Sequence, residues 1–551
     1  MFPQHPLRRT AVKSLLICPA LLGVLSTAAV GSDALPPVPD AAFEPKPIAT
    51  GPFEPTEGSL GKYAVPEWFR DAKFGIWSHW GPQAVPRMGD WYARKLYLGP
   101  GYMDRKTGKI VAEAGPIYQS HTTTYGHPSK FGYKDIIPLW KAERWDPEAL
   151  MALYKKAGAK YFVSMGIHHD NFALWNSPLH RWNAVNMGPK KDVVGLWQAA
   201  AKKQGLKFGG SEHWAASYNF YQPAKAADAT GPFAGVPYDG ADPAFADLYF
   251  PKVEPFDFNW MTSNPTFHRQ WFNRIRELVD SYQPDLLYSD SKLPFKDLRK
   301  ESADRYDRSE VGSRLVAHYY NSSASQHGGV AQVIYQCKET AKGRWVEDVE
   351  RGVKDGILPE PWQTDTSIGD WFYRTGQTYM TSTRVIHMLA DIVSKNGNLL
   401  LNIVQTPEGD LEPDVQKIVE EIGAWMAING EAIYNTRPWV TFGEDDPSKK
   451  AVTAGHFNEN KVKYTDKDLR FTLSKDQGTL YVIALGWPAD GQVVVKSLAQ
   501  GSDLIHHEVG QVRLLGYSGQ LQTLRDEDGL KITLPAQKPC EGAFAFAVSL
   551  R

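Results

Sequence analysis

The sequence predicts two domains, a (β/α)₈-like barrel over residues 61–437 and a C-terminal antiparallel β-sandwich over residues 438–551. Helical patterns alternate with short apolar strands through residues 68–430, which is typical of a parallel sheet. No G-x-G-x-x-G or Walker motif follows any of these strands, which disfavours an open nucleotide-binding sheet. About 370 residues also suit a barrel with long loops. Beyond Pro438 only strand-like runs separated by turn residues remain.

The barrel helices and strands are predicted from their start and stop signals. One helix begins at the N-cap Asp146, has Pro147 at its first position and ends at Gly158. It leads to an apolar strand at 161–165. The same order recurs further on, with helices at 193–203, 268–282, 383–394 and 414–428 and strands at 206–209, 286–289 and 398–404. The segment 102–133 has little periodicity, and we predict that it is one long loop.

The composition of the chain excludes several classes of function. The 551 residues are 42% hydrophobic and 22% charged, with a formal net charge of -1. This is an ordinary globular composition, and it offers no electrostatic basis for binding nucleic acid or an anionic membrane. Aromatic residues make up 12% of the chain, which suits either sugar-binding sites or large cores. Outside the N-terminal segment only Cys337 and Cys540 remain, too few for a disulfide framework or a cysteine zinc site.

The N-terminal residues resemble an export signal. Arg8, Arg9 and Lys13 form a positive region before the apolar run 14–30, which ends in small residues. We therefore predict a secretory signal peptide over residues 1–32, and the RRTAVK run also resembles a twin-arginine signal. A flexible lead-in rich in Pro, Ala and Gly is predicted for residues 33–60. These features predict an exported protein of bacterial type, either periplasmic or extracellular.

Polar and aromatic residues follow the predicted strands at the same place in successive units. In a barrel, the loops after the strands build the active site. The residues found at this place are Trp77, His79, Trp80 and GDWY (89–92) after the first strand, His168, His169 and Asp170 after the second, Glu212, His213 and Trp214 after the third, and Asp290 after the fourth.

The adjacent histidines of GIHHDNFALW (166–175) allow three interpretations. A metal site is disfavoured, because adjacent residues point in opposite directions along a strand and no spaced ligand set such as H-E-x-x-H accompanies them. His168 and His169 could instead end a strand and satisfy backbone groups, or they could bind a polar substrate. We predict no metal and no cofactor. Asp290, at the end of an apolar strand, is a candidate nucleophile that with a second, protonatable carboxyl group suits glycoside hydrolysis.

An ordered series of segments between residues 60 and 440 carries a family resemblance. The segments are KFGIWSHWG with GDWY (73–92), ERWDPEALMALYKKAGAKYFV (143–163), GIHHDNFALWNS (166–177), WNAVNMGPKKDVVG (182–195), PDLLYSD (284–290), DTSIGDWFY (365–373) and NGNLLLNI (396–403). In these the chain resembles the α-L-fucosidases of glycoside hydrolase family 29. The resemblance implies a barrel followed by a β-sandwich, and retaining exo-hydrolysis of terminal α-L-fucose from glycans or fucosylated polysaccharides.

The resemblance also implies roles for individual residues. Asp290 matches the nucleophile of the family. Trp77 stands where an aromatic side chain helps to enclose the fucose methyl group. Asp90 stands where the family often has a longer glutamate. The other residues implied or expected to hold the sugar are His79, Trp91, His168, His169, Trp214 and Trp371.

The general acid/base is sought in the loop RWVEDVERG (344–352). We predict Glu350, with Glu347 as the alternative, and Glu360 and Glu212 are further acidic candidates. Gln363 stands where many relatives carry a glutamate, and an amide cannot exchange the proton. Two other functions stay open at this point: an α-L-galactosidase of the same family, and a non-catalytic fucose-binding protein on the same scaffold.

Overall fold

Eight parallel strands close into a barrel. The structure is a computed structural model that describes residues 38–104, 106–253, 260–296 and 310–551, so the predicted signal peptide lies outside the described residues. Each strand pairs with its neighbours in sequence, and the last pairs with the first. The strands, labelled β1 to β8, are Phe74–Ser78, Tyr161–Ile167, Lys207–Glu212, Leu286–Ser289, Ile334–Cys337, Val346–Asp348, Trp362–Ser367 and Gly397–Asn402. The predicted barrel is confirmed.

Helices fill most connections between the barrel strands. The longer ones are Glu67–Ala72, Pro116–Tyr125, Pro147–Lys156, Val193–Lys203, Pro265–Tyr282, Val311–Gln326, Ser382–Ser394 and Pro413–Asn429. Shorter helices are Glu57–Leu60, Tyr92–Lys95, Tyr133–Ile136, Ser217–Phe220 and Ala246–Tyr249. The connections 338–345 and 349–361, which are described in full, contain no helix. Strands β5 to β7 therefore follow one another through irregular loops.

Local chemistry explains several of these boundaries. The side chain of Asp146 accepts hydrogen bonds from the N–H groups of Glu148 and Ala149, both at 3.0 Å, and so caps the helix that begins at Pro147. In β1, a Cβ on Gly75 would lie 2.2 Å from the Tyr161 ring. Only glycine allows β1 and β2 to approach each other at this point.

Two stretches differ from their predicted structure. The predicted loop 102–133 contains a short hairpin, Tyr102–Met103 with Ile110–Val111, and then the helix Pro116–Tyr125. This helix is largely polar, so no hydrophobic pattern predicts it from the sequence.

The residues 38–60 differ from the predicted flexible lead-in, because they pack against the barrel. Phe53 is buried, its N–H donates to Asn321 Oδ1 at 2.9 Å, and its ring meets Tyr320 edge-on at 5.3 Å. Further along, the Asn273 side chain donates to the carbonyl of Glu44 at 2.7 Å. Side chains of two barrel helices thus hold this segment.

The C-terminal domain consists of two antiparallel sheets. Its strands, β9 to β16, are Thr436–Glu444, Leu469–Ser474, Thr479–Ala484, Gln492–Val495, Val509–Leu514, Thr523–Asp526, Gly529–Thr533 and Phe544–Leu550. One sheet has the order β9-β10-β11-β16-β13 and the other β12-β15-β14. Side chains from both sheets share one core, including Phe471, Val482, Val495, Ile532 and Phe546. The predicted β-sandwich is confirmed.

The sandwich contacts the barrel through a buried ionic cluster and an extended loop. Asp391, on the helix Ser382–Ser394, accepts from Arg470 Nε on β10 at 2.6 Å and pairs with Lys395 at 3.0 Å. The loop between β9 and β10 reaches the carboxyl end of the barrel, where Gly455 and Val353 exchange backbone hydrogen bonds of 2.9 and 3.1 Å. Within the described ranges, no helix combines the length and apolar character needed to cross a membrane.

Candidate active site

A cavity of about 430 Å³ lies at the carboxyl ends of the barrel strands. This volume is in the usual range for small-molecule sites. Side chains that follow seven of the eight strands line it, together with one residue of the C-terminal domain. The lining residues are Trp77, His79, Asp90, Trp91, His168, His169, His213, Trp260, Asp290, Ser291, Lys338, Glu350, Asp365, Trp371 and Phe457.

Most of the predicted site residues meet in this cavity, but two do not. Trp214 is fully buried outside it, where the Arg274 guanidinium covers its ring at 3.6 Å. The chain turns into a 3₁₀ helix directly after His213, and this turn directs Trp214 away from the barrel mouth. The expected sugar contact of Trp214 does not fit this placement. The carboxylate of Glu347 also lies outside the cavity and pairs with Lys354 at 2.8 Å.

The other two acidic candidates are likewise engaged elsewhere. Glu212 is buried, and its carboxylate accepts from the Trp214 N–H at 2.9 Å and from the Trp271 indole at 3.1 Å. The Glu360 carboxylate accepts from the Gly343 N–H at 3.1 Å. Neither lines the cavity.

Asp290 stands at the centre of a charged cluster. It directly follows β4, and its N–H donates to the carbonyl of Glu212 at 2.9 Å. One carboxylate oxygen, Oδ2, lies 2.9 Å from His213 Nδ1 and 3.5 Å from His169 Nε2. The other oxygen, Oδ1, contacts the ammonium group of Lys338. Burial alone would raise the pKa of Asp290, but Lys338 and His213 outweigh it and hold that pKa well below its usual range. Asp290 is therefore anionic and able to act as a nucleophile.

Glu350 shares the same cation but has the opposite protonation behaviour. Its Oε2 contacts Lys338 Nζ as well. Burial raises the pKa of Glu350 to about 7; Lys338 acts against this shift, while the negative charges of Asp290 and Asp365 add to it. A carboxyl group with this pKa can carry a proton near neutral pH and give it up again, which is the requirement for a general acid/base.

The C-terminal domain holds the backbone of Glu350. The N–H of Glu350 donates to His456 Nδ1 at 3.0 Å, and its carbonyl accepts from the N–H of Phe457 at 2.9 Å. The next residue, Arg351, pairs with the buried Glu459 at 3.2 Å. A segment more than 100 positions away in the sequence thus fixes the loop that carries Glu350.

Three histidines of the cavity, His79, His168 and His169, are neutral hydrogen-bonding groups. Burial lowers the pKa of His79, His168 and His169, and their mutual repulsion adds to this effect for His79 and His168. A neutral imidazole offers one donor and one acceptor. Each histidine can therefore hold a hydroxyl group in a defined direction.

Second contacts fix which nitrogen of His168 carries the proton. The Ala93 N–H donates to Gln83 Oε1 at 3.3 Å, so the amide NH₂ of Gln83 faces His168 Nδ1 at 2.7 Å. Because Nδ1 accepts this bond, the proton of His168 lies on Nε2, which is 3.8 Å from Asp90 Oδ1. His169 has the reverse arrangement, since its Nδ1 donates to the His213 carbonyl. The cavity thus receives a donor from His168, while His169 Nε2 faces Asp290 Oδ2 at 3.5 Å.

Two groups of side chains bring possible metal ligands together. Ligand atoms of His79, His168 and His213 lie within 4.8 Å of one another, and so do those of His169, His213 and Asp290. These groups are not predicted from the sequence, because the prediction assumes that His168 and His169 lie on a strand and point in opposite directions. Strand β2 ends at Ile167, and the following turn directs both imidazoles into the cavity. A cation held there would compete with any ligand for the same nitrogens.

Family comparisons agree with this geometry. The profile of the Alpha-L-fucosidase family matches residues 41–431, and that of the Alpha-L-fucosidase C-terminal domain matches residues 461–550. The chain belongs to the α-L-fucosidase family. It is accordingly a glycoside hydrolase, and the resemblance seen in the sequence is confirmed.

Alignments with relatives and with solved structures cover nearly the whole chain of this member of the fucosidase family. The tissue alpha-L-fucosidase of Mus musculus is 28% identical over 92% of this chain and 95% of its own. The plasma alpha-L-fucosidase of Homo sapiens is 26% identical over 90% and 92%. The crystal structure of the Thermotoga maritima alpha-fucosidase has a TM-score of 0.66 at 24% identity and covers 90% of this chain and 100% of its own.

Six lining residues have no role assigned from the sequence: His213, Trp260, Ser291, Lys338, Asp365 and Phe457. Lys338 directly follows strand β5, IYQC, so the rule that identified Asp290 also applies to it, but β5 was not recognised as a strand. His213 and Asp365 stand beside predicted positions, in SEHW and DTSIGDWFY. Trp260 stacks on Trp91 with ring centroids 5.3 Å apart. Phe457 comes from the C-terminal domain, and no local pattern connects it with the barrel.

Proposed function

We propose that the protein is a retaining exo-hydrolase that releases terminal α-L-fucose from glycans or fucosylated polysaccharides through a covalent intermediate on Asp290. One observation carries this proposal: the ammonium group of Lys338, in the lining of the cavity, contacts both Asp290 and Glu350. The two carboxyl groups have oppositely shifted pKa values. This is the division of roles that a nucleophile and a general acid/base require.

The distance between the two carboxyl groups supports retention of configuration. Two oxygens that share one ammonium hydrogen-bond donor lie within about 6 Å of each other, twice a charge-assisted hydrogen bond. Retaining glycosidases place their carboxyl groups about 5–5.5 Å apart, whereas inverting enzymes need about 6.5–9.5 Å to admit a water molecule. The pair Asp290 and Glu350 fits the shorter spacing.

The proposed reaction has two steps. A carboxylate oxygen of Asp290 attacks the anomeric carbon while Glu350 gives its proton to the glycosidic oxygen, so the C–O bond breaks and the remaining saccharide leaves as an alcohol. Glu350, now a carboxylate, then takes a proton from a water molecule whose oxygen attacks the same carbon. The Asp290 ester breaks, and both carboxyl groups return to their initial states. Two inversions leave fucose with its original anomeric configuration.

The lining of the cavity supports fucose as the sugar. His168 supplies a hydrogen-bond donor to the cavity, which suits a sugar hydroxyl group. Trp77 and Trp371 both line the cavity with ring centroids 5.6 Å apart, and they form an apolar wall that suits a methyl group. An L-galactoside would place a hydroxyl group at that position, so we propose that fucosides are preferred.

The test combines trapping with product analysis. Incubation with a 2-fluoro-fucosyl fluoride should add one fluorofucosyl group, and peptide mass spectrometry should locate it on Asp290. Asp290→Ala should abolish turnover of an aryl α-L-fucoside while its thermal unfolding stays that of the native chain. NMR should show the α anomer first. An unlabelled Asp290, or β-fucose as first product, would refute the mechanism, and faster turnover of the matched α-L-galactoside would refute the substrate.

We further propose that the protein is exported and that residues 1–32 are removed. The support is the positive region followed by the apolar run 14–30. Expression with the native N-terminus in a bacterial host, followed by intact-mass measurement of the periplasmic and cytosolic fractions, tests this. A full-length chain confined to the cytosol would contradict the proposal.

A further inference from the structure

Phe457 is an exposed aromatic side chain at the edge of the active-site cavity. It is 62% exposed, although large apolar side chains elsewhere in this protein are mostly buried. It lines the same cavity as Asp290 and Glu350. It lies between β9 and β10, so it belongs to the C-terminal domain. An exposed aromatic side chain beside a polar sugar cavity suits the apolar face of a pyranose ring.

The backbone at Phe457 is held in an unfavourable conformation. Its φ angle is +57°, a left-handed value that is uncommon for a bulky residue. Such conformations persist where the surroundings fix them, and they are frequent at functional sites. Here the Phe457 N–H donates to the Glu350 carbonyl at 2.9 Å, while the flanking Gly455 pairs with Val353. The position of the ring is therefore set by the loop that carries Glu350.

This contact places Phe457 on the side of the leaving group. A general acid must reach the glycosidic oxygen, so the saccharide attached to that oxygen lies on the same side as Glu350. The other aromatic pair, Trp91 and Trp260, lies beside His169 instead. The ring centroids are 5.9 Å apart for Trp91 and His169 and 5.6 Å apart for Trp260 and His169. Among the lining residues, Phe457 is the one whose backbone is bonded directly to Glu350.

We infer that Phe457 forms the binding site for the first sugar of the leaving group, with its ring stacked on the apolar face of that pyranose. The C-terminal domain then takes part in substrate selection instead of serving only as a support. This inference rests on the proposed function, because it needs Glu350 to protonate the glycosidic oxygen. The ligand is a pyranose whose apolar face presents C–H groups to the aromatic ring.

The test compares substrates with and without a leaving sugar. For the full chain, kcat/KM is measured with α-L-fucosyl fluoride and with a panel of fucosyl disaccharides of different linkage. Phe457→Ala should lower kcat/KM for the best disaccharide about 5–50-fold, because the aromatic contact is lost. The same variant should keep kcat/KM for α-L-fucosyl fluoride within about twofold of the native value, since the fluoride leaving group carries no sugar. Phe457→Tyr should keep the activity on both.

Matched measurements separate the possible outcomes. Leu524→Ala removes another exposed apolar side chain of the C-terminal domain, 61% exposed and outside the cavity, and should change neither substrate. A parallel loss on fluoride and disaccharide with Phe457→Ala would overturn the inference, because it would mean that Phe457 acts only through Glu350 or through folding. An unchanged disaccharide rate would overturn it too. If the native chain hydrolyses neither substrate, the proposed function itself fails.

Discussion

Lys338 Nζ contacts the Oδ1 atom of Asp290, and with the same nitrogen it reaches Glu350. One buried cation thus lowers the pKa of both carboxyl groups, although the two pKa values end on opposite sides of their usual range. The difference arises because His213 also stabilises the charge of Asp290, whereas burial and the negative charges of Asp290 and Asp365 raise the pKa of Glu350. Lys338 lets two buried carboxyl groups lie close together without both becoming protonated.

Replacing Lys338 should move the whole pH profile upward. Unit charges about 4 Å apart interact by about 4 kcal/mol at an effective dielectric constant of 20. A change of about 1.4 kcal/mol is enough to shift a pKa by one unit. In Lys338→Met both carboxyl pKa values should rise. The acid and basic limbs of kcat/KM for an aryl fucoside should therefore shift to higher pH by at least about one unit. Lys338→Arg is the control and should keep the limbs in place; an unshifted profile for the Met variant would contradict this role.

Glu350→Gln should show the loss of a general acid. With a fucosyl disaccharide, kcat/KM should fall roughly 10²–10⁴-fold, whereas fucosyl fluoride should be hardly affected in this parameter, because its leaving group needs no proton. The basic limb of the native profile, expected near the pKa of about 7, should disappear. Glu347→Gln is the matched control, since Glu347 pairs with Lys354 outside the cavity. Equal losses for both variants would count against Glu350.

Gln83→Glu should reverse the proton on His168 without touching the substrate. The amide NH₂ of Gln83 donates to Nδ1, whereas a carboxylate can only accept and would draw the proton to that nitrogen. Nε2 would then face the cavity as an acceptor, and kcat/KM for an aryl fucoside should fall about tenfold or more. NMR of ¹⁵N-histidine reports the tautomer directly. Gln83→Leu removes the hydrogen bond without imposing the other tautomer, so its kcat/KM should fall less than that of Gln83→Glu. An unchanged His168 tautomer in Gln83→Glu would refute the explanation.

The parts of the fold that follow simple patterns were predictable. The helix Val193–Lys203 and the strand Leu286–Ser289 match the predicted bounds because capping signals and a clear change of period mark them. Strands β5 to β7 were not predicted. They are short or polar, as in VED and WQTDTS, and barrel closure stabilises them more than their own pattern does.

The site was predictable where a residue directly follows a recognised strand. For this reason the predicted placement of Asp290, His168 and His169 at the barrel mouth is correct. Lys338 was missed together with its strand. Phe457 depends on a contact between two domains, which no local sequence pattern carries. Trp214 follows a strand as well, but the 3₁₀ turn after His213 reverses its direction, and the sequence shows no sign of that turn.

The ionic cluster of Asp391 should stabilise the contact between the domains. Asp391 is buried, and although burial alone would raise its pKa, Lys395 and Arg470 hold that pKa below 3.8. Removing one partner of a buried pair leaves an uncompensated charge, so Asp391→Ala should lower the free energy of unfolding by about 3–5 kcal/mol. Lys203→Met, which breaks an exposed pair with Glu148, should change it by no more than about 1 kcal/mol. Urea unfolding at neutral pH, followed by circular dichroism and tryptophan fluorescence, measures both.

The pH dependence of this difference has a defined sign. Because the folded-state pKa of Asp391 lies below its unfolded value, its contribution is fully present above about pH 3.9 and is lost as pH falls through the folded-state pKa. The gap in unfolding free energy between the native chain and Asp391→Ala should therefore be constant from neutral pH down to mildly acidic pH and narrow below that value. A gap that widens on acidification, or one smaller than about 1 kcal/mol at neutral pH, would show that the cluster does not stabilise the domain contact.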